Sequence, residues 1–196
     1  MTQENILVLG IGNLLWADEG FGVRAVQELN RQWRFPERVT LMDGGTHGLK
    51  LLPYVQEARR MIVFDAIDYG LAPGTIRVMA NSQVPRFMGA KKLSLHQTGF
   101  QEVLAVAELT GDLPEELVLI GVQPACIEDY GGGLNAAVKA RIPTTLAIAL
   151  SWLQRWDCRP QPRNAEPEGR ELLLPASLAM DVFDPARLAP AALATC

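Results

Sequence analysis

Histidine is scarce in this chain, with His47 and His96 the only two. That excludes a site built on three histidines and any histidine-rich metal store, so metal chemistry must lean on carboxylates. Cysteine is nearly as scarce. Cys126, Cys158 and Cys196 are odd in number, far apart and in no CxxC pair, which suggests neither a disulfide framework nor a cysteine-rich zinc site. A basic surplus is missing as well: 18 Lys and Arg stand against 22 Asp and Glu, with no Lys/Arg run. A nucleic-acid surface needs a basic face to neutralise phosphate, so none is expected. Every apolar run is far shorter than the ~20 residues that span a bilayer, and Met1 to Asn5 lacks the basic start of a signal peptide. The expectation is a cytoplasmic, monomeric protein without a membrane partner.

Familiar catalytic signatures are also absent. Gly10-Ile11-Gly12 invites a dinucleotide reading, but the third glycine of that fingerprint would fall at Leu15. No Gly-Lys-Ser/Thr follows, so there is no P-loop. None of Ser82, Ser94, Ser151 and Ser177 stands in a G-x-S-x-G elbow, which removes the usual α/β-hydrolase nucleophile.

What is present is an alternation of short apolar runs and helical patterns. At 196 residues and 48% hydrophobic, the chain fits one domain that folds without staples. Ile6 to Leu9, Val39 to Met42, Met61 to Phe64, Thr75 to Met79 and Leu117 to Val122 read as strands. Helical spacing recurs at Val26, Leu29 and Trp33, with Asp18 as N-cap, at Leu51 to Ala58, and at Phe100 to Ala107. Two more helices are read over 134–141 and 144–156, while 81–92 reads as loop. The alternation predicts a three-layer α/β/α sandwich around a mostly parallel sheet of about five strands, spanning residues 1–156. Residues 157–196, broken by six prolines between Pro160 and Pro190, read as a Pro/Ala-rich tail in which only Leu172 to Leu174 looks able to pack.

In an open α/β sheet, ligands bind where loops leave the carboxyl ends of the strands. Glu19, Asp43 and Asp65 fall at such ends, and His96 opens a helix. Carboxylates gathered beside one imidazole repel one another unless a cation joins them, and oxygen and nitrogen donors suit zinc, nickel or manganese. Each residue also has a plainer reading: the acids cap helices, and His96 bonds to backbone at a helix start. His47 reads best as a solvated loop histidine, and Trp16 as an exposed aromatic near the crevice.

Taken together, Gly10 to Gly22 (GIGNLLWADEGFG), Asp43-Gly44-Gly45-Thr46, Asp65-Ala66-Ile67-Asp68 and Ser94-Leu95-His96-Gln97 resemble the maturation endopeptidases of NiFe-hydrogenases, nearest to the HyaD/HupD type. The likeness covers about residues 4–156. It implies a protease that removes a C-terminal extension from the hydrogenase large-subunit precursor once nickel is in place. It also implies Glu19, Asp65 and His96 as metal ligands, Asp43 as the participant in cleavage, and Gly44, Gly45 and Thr46 as the backbone that substrate approaches. Nickel would be either a handle presented by the substrate, with Asp43 as general base, or the agent that polarises the carbonyl. Two other readings are a nickel-dependent checkpoint or chaperone that binds without cutting, and a nucleotide-binding regulator resting on the Gly10–Gly12 turn alone.

Overall fold

The computed structural model describes residues 4–84, 95–127 and 129–183, without the side chains of 95–98, 170 and 176. Strand β1 (Ile6–Ile11) is buried along its whole length. Its alternate residues feed two separate cores: Ile6 and Val8 pack on one face of the sheet, Leu7, Leu9 and Ile11 on the other. Such a run has no solvent face, which is why it reads as continuous rather than alternating. Helix α1 (Phe21–Gln32) follows, then a two-residue strand β2 (Trp33–Arg34), then β3 (Val39–Gly45). Helix α2 (Leu52–Glu57) leads into β4 (Arg60–Ala66), and β5 (Ile76–Ala80) comes next. Helix α3 (Leu95–Thr110) precedes β6 (Glu116–Val122). Helices α4 (Ala136–Lys139) and α5 (Ile142–Arg155), strand β7 (Gln161–Pro162) and helix α6 (Met180–Phe183) complete the described chain.

The main sheet has five strands in the order β3-β1-β4-β6-β5. All its pairs are parallel except β5 with β6, so the mostly parallel three-layer sandwich is what the chain forms. Helices α1 and α5 cover one face through Phe21, Val26, Leu29, Leu146 and Leu153. Helices α2 and α3 cover the other through Val55, Phe100, Val103 and Leu104. The chain leaves β1 toward β3 and later returns to β4 on the far side of β1, so the strand order reverses between β1 and β4. Ligand crevices form at such a point.

Three local expectations are corrected. Trp33 continues the helical spacing but leaves the helix, because its backbone pairs antiparallel with Pro162. The strand expected to end at Met42 runs on to Gly45 with a β-bulge: Gly10 faces Asp43, yet Ile11 faces Gly45. Asp18 does not cap α1. The N-cap is Gly20, without any side-chain bond, and Asp18 is spent elsewhere. The expected loop over 81–92 lies largely outside the described residues. The segment after Asp157 is fastened to α1: Asn30 donates its side-chain amide to the Glu171 carbonyl at 2.7 Å, and Arg163 donates to the Asn30 carbonyl at 2.8 Å. No helix among the described residues is long and apolar enough to cross a membrane.

Helix α1 begins very close to the sheet. A side chain on Gly22 would collide with the carbonyl oxygens of Ile11 and Phe64, which belong to two different strands and cannot retreat. Gly22→Ala should therefore lower unfolding free energy by about 3 kcal/mol or more. Urea denaturation followed by circular dichroism reads this directly, and an unmoved midpoint would show that the helix is not seated on those carbonyls.

Candidate active site at the carboxyl rim of the sheet

Glycines that fail the dinucleotide fingerprint have a different purpose here. Gly12 lies at φ +134°, and a side chain there would strike the Glu19 carbonyl oxygen; one on Gly10 would strike that of Gly22. The spacing thus lets the end of β1, a 3-10 turn over Ala17–Gly20 and the start of α1 stack without side chains between them. Glu19 is carried on that turn, half-buried, directly over Gly12.

The turn is held from its other side by Asp18, whose exposure is 0%. Its carboxylate accepts bonds from the backbone N–H groups of Ala125 (2.8 Å), Cys126 (2.9 Å) and Asn135 (2.7 Å), and from the Asn135 side-chain amide (3.1 Å). Charge-assisted bonds of this kind are about twice as strong as neutral ones. They offset the cost of Ala17, a non-glycine residue held at φ +38°. Beside them Trp16 and Tyr130 form an antiparallel bridge with ring centroids 5.3 Å apart, edge to face. Asp18 is the residue that reading the sequence missed. Its partners are more than 100 positions away, so no local spacing marks it.

Asp65 ends β4 with 2% exposure, opposite Gly121 of β6. The Tyr69 ring lies over Gly121, and burial, followed by the Asp65 charge, pushes its phenol well above the usual tyrosine range. Alternation along β4 puts Asp65 on the face of Met61 and Val63, the side of α2 and α3. Asp43 follows Val39 and Leu41 on the opposite face, the side of α1. Gly10 is in register with both Asp43 and Phe64, so Asp43 and the end of β4 stand two strand spacings apart, roughly 10 Å.

Asp43 has the most unusual surroundings. One oxygen, Oδ1, is buried without a hydrogen-bond partner among the described residues. Burial raises the carboxyl above its ordinary range, against the opposing pull of the Gly45 N–H and of His47. His47 is exposed, as a loop histidine should be, but its ring is not free: Nδ1 is 2.9 Å from the Gly44 carbonyl. A carbonyl only accepts, so Nδ1 carries the proton, and in the neutral ring Nε2 keeps its lone pair. Asp43 and His47 flank Gly45, at 3.3 Å and 3.5 Å from where a Cβ would stand. The Gly45 carbonyl accepts from the Gly12 N–H at 3.1 Å, which ties this loop to the end of β1.

The structure thus places Glu19, Asp43 and Asp65 along the carboxyl rim of the sheet, with Asp43 and Asp65 on opposite faces. His96 lies in the first turn of α3, whose Gly99 backbone meets Gly48 just after His47; the His96 side chain is outside the described residues. Among the described residues no group of three or more His, Cys, Asp or Glu side chains converges as a metal site.

Comparison with known proteins agrees with this fold. A family model described as hydrogenase maturation protease matches residues 23–152, a span that holds Asp43, Asp65 and His96. The chain is 57% identical over 186 residues to the hydrogenase expression/formation protein HupM of Azotobacter chroococcum, covering 95% of this chain and 88% of that one. It is 50% identical over 187 residues to HoxM of Cupriavidus necator, covering 95% and 93%. The solved structure of the hydrogenase maturating endopeptidase HybD from Escherichia coli superposes with a TM-score of 0.77 at 38% identity, over 81% of this chain and 98% of that one. The chain belongs to the hydrogenase maturation protease family.

The raised Asp43 carboxyl has a measurable signature. Folded protein holds this proton to higher pH than unfolded chain does, so its contribution to stability falls as pH rises through the folded value. Asp43→Asn removes a buried charge and nothing of similar size. Its stability should match the parent at pH below the ordinary carboxylate range, exceed it increasingly as pH rises through the folded value, and then stay constant. Urea midpoints measured across that interval check this; a difference independent of pH would contradict it.

Proposed function

We propose that this protein cuts the C-terminal extension from the NiFe-hydrogenase large-subunit precursor after nickel insertion, with Asp43 as general base. The observation that supports Asp43 is its buried Oδ1, free of hydrogen bonds among the described residues, on a carboxyl whose proton affinity is raised. A base is most effective when its pKa approaches the working pH, and an oxygen that no described group donates to keeps its lone pairs for a water brought in with the substrate. Asp43 takes a proton from that water as its oxygen attacks the scissile carbonyl carbon. The proton then passes to the departing amine as the C–N bond breaks. Gly45 adds no side chain beside the carboxylate, so with Thr46 it lets substrate backbone come close; Gly44 is buried, and a side chain there would strike Leu9 and Ile11, so its part is confined to its main chain.

In this reading nickel arrives with the substrate as the mark of a completed precursor. Glu19, Asp65 and His96 supply two carboxylates and an imidazole, a donor set that nickel accepts. Glu19 is held by the glycine stack and the Asp18 bonds, and Asp65 by the ladder with β6. Rigid donors near the switch between β1 and β4 orient the precursor, and positioning alone lowers a barrier by several kcal/mol.

The test is mass spectrometry of purified precursor, nickel-loaded or nickel-free, after incubation with the protein. Loss of the extension from the loaded form alone is the expected result. Equal trimming of both forms would refute nickel gating, and trimming of neither would favour a checkpoint that binds without cutting. Asp43→Asn should bind loaded precursor and leave it uncut, with kcat down at least about 10²-fold. Glu19→Ala and His96→Ala should abolish processing in a folded protein. Cleavage by the wild type should fall away on acidification at a pH above the ordinary carboxylate range, since the base must be ionised.

A further inference from the structure

Strand β3 is the outermost strand of the main sheet on its side, among the described residues. Its only ladder partner among the described residues is β1. The Ile6 N–H donates to the Arg38 carbonyl at 2.8 Å, which fixes the phase of the ladder. Main-chain groups alternate in direction along a strand, so those of 38, 40 and 42 face β1 and those of 39, 41 and 43 face away. The Val39 N–H is taken by the Pro36 carbonyl at 2.9 Å. Among the described residues, Leu41 and Asp43 are left with two donors and two acceptors on the outer edge, the second pair belonging to the residue whose buried Oδ1 has no partner there either.

Edge strands not meant to pair are usually guarded by lysine, proline or an inward charge. Between Val39 and Gly45 this one has neither lysine nor proline, and its one inward charge is Asp43 itself. Its bulge comes only after Asp43, so it ends the pairing edge where the carboxylate stands and leaves Leu41 regular. Added strands bind through main-chain bonds and tolerate varied side chains. The first side chains of such a strand would lie about 5 Å from those of β3, within reach of a carboxylate.

We propose that the outer edge of β3 is the peptide subsite of this protease, where the precursor segment next to the scissile bond adds to the sheet as an extended strand paired with Leu41 and Asp43. This rests on the protease reading above and adds to it the conformation and place of the bound peptide. The fixed register of that strand sets one peptide bond beside the Asp43 carboxylate, while the nickel would be held two strands further in.

Amide hydrogen exchange tests the proposal on Asp43→Asn bound to nickel-loaded precursor. The amides of residues 41 and 43 should exchange at least tenfold more slowly in the complex than in the free protein, while those of 40 and 42, already in the ladder, stay as they were. A complex in which 41 and 43 exchange as fast as in free protein would overturn the edge subsite and leave the protease reading intact. Failure of the variant to bind, together with failure of the wild type to cut, would overturn both. Leu41→Pro supplies a second readout, since it deletes an outward donor and no ladder bond. It should raise KM for precursor at least tenfold at nearly constant kcat; a protein that was only less stable would lose active molecules at unchanged KM. If Leu41→Pro does not fold, proline placed at successive positions of the precursor extension should impair cleavage by the wild type at every second position. Uniform tolerance of those prolines would sink the proposal.

Discussion

The contact between the start of α1 and the ends of β1 and β4 is what the rest of the molecule depends on. Gly22 rests against the carbonyls of Ile11 and Phe64, and Gly12 against that of Glu19, with no side chain in any of these gaps. Because the helix enters so close to the sheet, Phe21, Val26 and Leu29 fill the core over β1, β4 and β6. For the same reason the turn carrying Glu19 cannot drift from the rim. The glycines are thus a condition of fold and of site at once.

Around this contact the site is assembled by different forces. Asp18 binds the turn to the loop after β6 through four hydrogen bonds and carries Ala17 in a conformation that alanine alone would avoid. Asp65 is placed by the ladder between β4 and β6, which no loop movement can alter without breaking the sheet. Asp43 stands just before the bulge of β3, and one of its carboxylate oxygens has no hydrogen-bond donor among the described residues. The rim thus holds its carboxylates rigidly, and one of them is poorly solvated.

Much of this was legible in the order of residues. Strands β1, β4 and β6 are apolar on both faces, and a run such as Met61 to Phe64 has few other places to go. The acids at strand ends were legible because the sheet's polarity decides where strand ends lie. What could not be read depends on distant partners. Trp33 keeps helical period with Leu29, yet pairing with Pro162 draws it into a strand. Asp18 looks like a cap until residues 125 to 135 arrive, when three backbone amides outcompete the helix for its carboxylate. His47 is exposed, as its loop position suggests, and its ring also bonds the Gly44 carbonyl three residues back, a local contact that residue spacing alone does not mark.

The outward surface of α1 has a consequence of its own. Arg24, 2% exposed, donates to the carbonyl of Leu178 and lies 5.5 Å from the Phe183 ring, and Asn30 donates to the carbonyl of Glu171. Polar groups that a lone helix would turn to water are instead hidden under residues 157–183. Strip that covering away and a guanidinium and an amide face solvent amid uncovered apolar neighbours. Helix and covering therefore have to diverge as a unit, and a hybrid that borrows one from a shorter homologue without the other inherits a mismatched seam.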